Sequence, residues 1–138
     1  VRVFNGFSQF WSTSVQFTHP CLGARSHQAF WSAVLSPCVT FLNDINDVLS
    51  FYKETVHGED FEVGRLYRRS VQENQPYPEV FRQTFDNGLT AYRRVPALAT
   101  DEQRHHLDRC MRAFIHWHFH SSRYRWQSIY PGLAPLEV

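Results

Sequence analysis

The chain has 138 residues, 43% of them hydrophobic and 20% charged, enough for one domain with its own core and too short for two. Its formal charge of +1 provides no general field for a polyanion, and its arginines are scattered, so no nucleic-acid module is indicated. No apolar run approaches the length of a membrane span, and Cys21, Cys38 and Cys110 are too few and too far apart for a disulfide framework or a paired zinc motif; the expectation is a soluble protein in a reducing, cytoplasmic setting.

The chain opens at Val1 inside an amphipathic pattern, as a partial chain would. Val3, Phe4, Phe7, Phe10 and Trp11 recur at three- and four-residue steps and predict a helix from about Val1 to Ser14, broken by the run Thr18–Gly23. A long helix is expected from about Ser26 to Thr55, with Pro37 kinking or splitting it because a proline ring clashes with the preceding turn and removes one hydrogen bond. His57–Asp60 reads as a polar loop, and a helix follows from about Phe61 to Val71. Gln75–Pro78 then separates it from another helix carrying Val80, Phe81, Phe85, Leu89 and Tyr92. Val95–Ala97 marks the next boundary, Thr100 or Asp101 supplies an N-cap, and a last helix spans about Glu102 to His120. Ser121–Tyr124 closes it, an irregular tail follows through Pro131–Pro135, and no strand pattern is found, so the architecture is all-α.

Within the long helix, Asn46, Ser50 and Glu54 stand four residues apart, a step that returns side chains to one helix face. An amide oxygen, a hydroxyl and a carboxylate stacked this way suit a small hard cation that shares its remaining positions with waters and phosphate oxygens, the habit of Mg2+. Lys53, next to Glu54, adds an ammonium within reach of such a phosphate. A solvated polar stripe would show the same spacing.

The string Asn46–Glu54, NDVLSFYKE, resembles the second metal-binding motif of class I terpene synthases, and most closely that of fungal sesquiterpene cyclases of the trichodiene synthase type. The frame starts at Asn46, because starting at Asn43 would put Asp47 where Ser or Thr is required. Two further segments carry the resemblance. Phe114-Ile115-His116-Trp117-His118 followed by Arg123-Tyr124-Arg125 is similar to the family's Trp-His and RY segments, although Ser121 and Ser122 stand where the trichodiene type has an acidic and a basic residue. Arg2-Val3-Phe4-Asn5-Gly6 is similar to the family's broken-helix RxxNG segment. Taken alone, Arg123 and Tyr124 would be an ordinary surface pair at a helix end, and Arg2 a frayed terminal arginine.

The resemblance implies the C-terminal half of a class I terpenoid synthase bundle acting on farnesyl diphosphate by Mg2+-dependent ionisation and carbocation cyclisation. It implies Asn46, Ser50 and Glu54 as metal ligands and Arg2, Lys53, Arg123 and Tyr124 as diphosphate-binding residues. Asn5 and Gly6 take the linker and effector roles, and Phe114 and Trp117 face the cavity, with Phe7 and Trp11 as weaker cavity candidates. No protein nucleophile or other catalytic side chain is required. The family's aspartate-rich motif has no counterpart in these residues, so the chain alone is expected to be inactive, and a homodimer of the full-length protein is left open. The competing expectation is a non-catalytic helical remnant or interaction domain. A chain-elongating isoprenyl enzyme is disfavoured for want of paired DDxxD motifs. His116 and His120 share a helix face without an evident third ligand, so a partly buried or supporting role is expected of that histidine cluster.

Overall fold

The computed structural model of the chain describes residues 7–56 and 64–133. The protein is all-α. Among the described residues there are five helices, α1 Phe7–Val15, α2 Gln28–Val56, α3 Arg65–Glu73, α4 Tyr77–Ala97 and α5 Asp101–His120, with 3-10 turns at Pro20–Leu22, Ser122–Tyr124 and Trp126–Ser128, and no strand. No helix among the described residues is long and apolar enough to cross a membrane.

Pro37 does not split α2, which runs for 29 residues. The missing N–H and the ring clash cost about 3 kcal/mol. Val34, Phe41 and Leu42 are fully buried around the proline, and burial of each such side chain is worth about 1.5–3 kcal/mol, so the helix survives. α4 ends at Ala97, within the boundary expected between Val95–Ala97 and Thr100–Asp101. Pro96 lies in its last turn, and Leu98 and Ala99 N–H groups close that turn on the carbonyls of Val95 and Pro96. At its other end Pro78 occupies the first turn, where an N–H would have no helical partner anyway.

Thr100 caps α5 in a reciprocal box. The Gln103 N–H donates to Thr100 Oγ1 at 3.3 Å, and the Thr100 N–H donates to Gln103 Oε1 at 3.1 Å. α3 ends on Asn74, in the left-handed region at φ 49, whose N–H reaches the carbonyls of Ser70 and Val71. The loop expected at His57–Asp60 and the helix start expected at Phe61 lie outside the described residues.

The chain divides into two compact units, Val1–Asn43 with Asn87–Arg112, and Asp44–Asp86 with Ala113–Val138. In the first, Val34, Phe41, Leu42, Val95, Leu107 and Met111 are fully buried. The turn at Pro20–Leu22 is pinned there by Trp31, whose Nε1 donates to the Leu22 carbonyl at 2.6 Å. In the second, Trp126 donates from Nε1 to the Leu49 carbonyl at 2.8 Å, fixing the segment after α5 against α2. Arg69 ties α3 to α4, donating to Thr84 Oγ1 at 3.2 Å and Gln83 Oε1 at 3.1 Å while also pairing with Glu73.

Candidate metal and diphosphate site

Asn46, Ser50, Lys53, Glu54, Phe114, Trp117, Arg123 and Tyr124 all belong to the second unit. Arg2, Asn5 and Gly6 lie outside the described residues. At about 100° per residue, Ser50 and Glu54 sit roughly 40° and 80° round α2 from Asn46, and Lys53 roughly 20° on its other side. The four side chains therefore occupy one third of the helix circumference. Ser50 is buried, whereas Asn46, Lys53 and Glu54 are half-buried.

Ser50 Oγ donates to Glu54 Oε1 at 2.7 Å. In octahedral Mg2+ coordination, with ligands at 2.0–2.1 Å, neighbouring oxygens lie about 2.9 Å apart. These two oxygens are thus already at the spacing that a shared Mg2+ needs, and all three donors are hard oxygens. The residues present fit that ion.

His118 sets the orientation of Asn46. It is fully buried, and its Nδ1 lies 2.8 Å from the Phe114 carbonyl oxygen, which can only accept; Nδ1 therefore carries the proton and Nε2 offers a lone pair. Asn46 Nδ2 lies 2.8 Å from that Nε2 and also donates to the Tyr124 hydroxyl at 3.4 Å. The hydrogen-bond network commits the amide NH2 to His118 and Tyr124, and so directs Oδ1, the atom a metal would bind, away from them.

Tyr124 is buried in an aromatic cluster, with ring centroids 4.3 Å from His118 and 5.2 Å from Trp117. It reaches this place through the Ser122–Tyr124 turn, after which Arg125 adopts the left-handed region at φ 58 and Trp126 is again buried. Arg123 is exposed on the same turn. Phe114 is buried with its ring edge-on to His118 at 4.5 Å, and Trp117 is 40% exposed. An open apolar depression of ≈ 580 Å³ in this unit is lined by Phe119, Ile129, Tyr130, Pro131, Gly132 and Leu133, and includes none of the assigned site residues.

Asp47, directly after Asn46, faces elsewhere. It and Asp44 are both buried and both pair with Arg65, at 3.1 Å from Nη1 and 3.2 Å from Nη2 respectively. Sequence reasoning missed Arg65, since nothing in its local string distinguishes it from the neighbouring arginines of α3. Burial pushes the Tyr77 phenol up, the hydrogen bond with Thr55 opposes this, and the charges of Glu54 and Asp47 add to the rise. His116 and His120 do share a face, stacked at 3.9 Å, but it is His118 between them that supports the site.

Asn43, the alternative start of the motif, is in the first unit, and its Oδ1 accepts from Ser8 Oγ at 2.7 Å. Comparison of the chain with models of known protein families, with curated proteins and with solved structures finds no match.

Proposed function

We propose that this chain provides the Asn46/Ser50/Glu54 metal wall of a sesquiterpene synthase that ionises and cyclises farnesyl diphosphate. The observation that carries the reading is the pairing of three hard oxygen donors on one face of α2 with an amide whose NH2 is held inward by His118 and Tyr124. Mg2+ at that place supplies charge neutralisation to a departing diphosphate. Lys53 and Arg123 would donate to its oxygens, and the Tyr124 hydroxyl, already accepting from Asn46, can give its own proton in a further hydrogen bond. Arg2, Asn5 and Gly6 complete the clamp in the resemblance.

The aspartate-rich motif for the remaining metal ions has no counterpart in the 138 residues, so cyclisation by this chain alone is not expected. Incubation with farnesyl diphosphate and Mg2+, followed by gas chromatography and mass spectrometry, tests this: product at an enzyme-like rate would contradict it.

A second reading, a helical interaction domain, is favoured by Phe10 and Phe17, which are 71% and 85% exposed. An upstream reading frame encoding an aspartate-rich helix would favour the synthase, and its absence from the genomic locus would favour the interaction domain.

A further inference from the structure

The first unit holds a second cluster of donors, of different chemistry. His19 and Cys21 flank Pro20 on the Pro20–Leu22 turn, and Glu102 and His106 stand four residues apart on the first turns of α5, hence on one face. One ligand atom from each of the four lies within 4.8 Å of every other. His19 Nδ1 is 3.1 Å from Cys21 Sγ and 3.9 Å from Glu102 Oε1, and the rings of His19 and His106 stack at 3.8 Å.

We propose that His19, Cys21, Glu102 and His106 form a closed tetrahedral site for Zn2+. Zinc takes thiolate sulfur at about 2.3 Å and imidazole nitrogen or carboxylate oxygen at about 2.0–2.2 Å, which places tetrahedral ligand atoms about 3.3–3.8 Å apart. The two distances above bracket that range, so loading requires side-chain rotation, chiefly to unstack the two imidazoles. Two imidazoles, a thiolate and a carboxylate match a borderline-soft ion and not Mg2+.

The support is built in. Gln103 Nε2 donates to the Cys21 carbonyl at 3.0 Å, and the same Gln103 forms the capping box with Thr100, so the turn and the start of α5 are held together without the ion. Trp31 holds the adjoining Leu22 carbonyl. Four protein ligands leave no open coordination position, so the role is structural: the ion locks the turn after α1 onto α5. On binding, the Cys21 thiol releases its proton to solvent and Sγ bonds the metal. The site shares no residue with the Asn46/Ser50/Glu54 wall and does not depend on its function.

The test is Co2+ titration of the reduced full chain, followed by Zn2+. The expected result is one equivalent of Co2+ with intense tetrahedral visible bands and a thiolate charge-transfer band, all displaced by one equivalent of Zn2+. Cys21→Ser removes the charge-transfer band. Glu102→Gln and His106→Ala weaken binding by more than about 100-fold. Cys38→Ser, Cys110→Ser and Glu54→Ala keep the spectrum. A tetrahedral spectrum that never forms, or a thiolate band that survives Cys21→Ser, overturns the site. A measurement needing no variant is alkylation of the wild-type chain read by mass spectrometry. Zn2+ should slow modification of Cys21 at least about tenfold while leaving Cys110 unchanged; equal rates with and without Zn2+ overturn the proposal.

Discussion

Asn46 and His118, 72 positions apart in the chain, meet at 2.8 Å between Nδ2 and Nε2, and this contact decides which amide atom Asn46 turns away from His118. The Phe114 carbonyl fixes the tautomer of His118, and His118 in turn fixes the amide.

His118→Leu removes the acceptor and lets the Asn46 amide turn either way. Loss of such a supporting partner typically costs 10–100-fold in metal affinity, so Mg2+-dependent binding of pyrophosphate should weaken by about that factor. Calorimetric titration of the folded variant checks this. Unchanged affinity would mean that His118 serves packing alone.

Arg65 holds two buried carboxylates, Asp44 and Asp47. Breaking a fully buried pair costs roughly 3–5 kcal/mol. Arg65 is itself 43% exposed and is screened by water, so Arg65→Ala should cost less, about 2 kcal/mol in urea unfolding. In an Asp47→Asn background the cost should shrink, which a double-mutant cycle measures. An equal cost in both backgrounds would place the effect outside this ion pair.

Much of the architecture was legible because helices are written locally. The three- and four-residue apolar steps from Phe30 to Tyr52 marked α2 to within two residues at each end, and Thr100 announced the cap of α5. Pro37 does not split α2, because a one-residue rule counts only its local cost, whereas the compensating burial of Val34, Phe41 and Leu42 belongs to tertiary structure. The donors on α2 were likewise legible as one helix face, but their supports were not. Tyr124 was assigned to the site through the resemblance, but its bond to Asn46, the His118 contact and the Arg65 pairs join distant segments, and no spacing encodes that. The His19/Cys21 turn read only as a helix break for the same reason, its partners lying on α5.

Cys38 is buried in the first unit, and burial pushes its thiol up from 9.0 to about 12. The folded state thus holds this proton more tightly than the unfolded chain. The stability it contributes is fully present below pH 9 and is lost as pH rises toward 12. At pH 10, one unit above the unfolded value, the loss from this group is on the order of 1 kcal/mol. Denaturant unfolding at pH 7.5 and pH 10 should therefore show a smaller pH effect in Cys38→Ala than in the wild type, by about that amount. Equal losses in the two proteins would mean that other groups carry the alkaline dependence.

The proposed metal wall is tested most directly by calorimetric titration of the wild-type chain and Glu54→Ala with pyrophosphate, with Mg2+ present or replaced by EDTA. The wild type should bind only with Mg2+, and Glu54→Ala at least about tenfold more weakly, since a ligand is lost. Binding of equal strength in EDTA, or unaltered in Glu54→Ala, would contradict it.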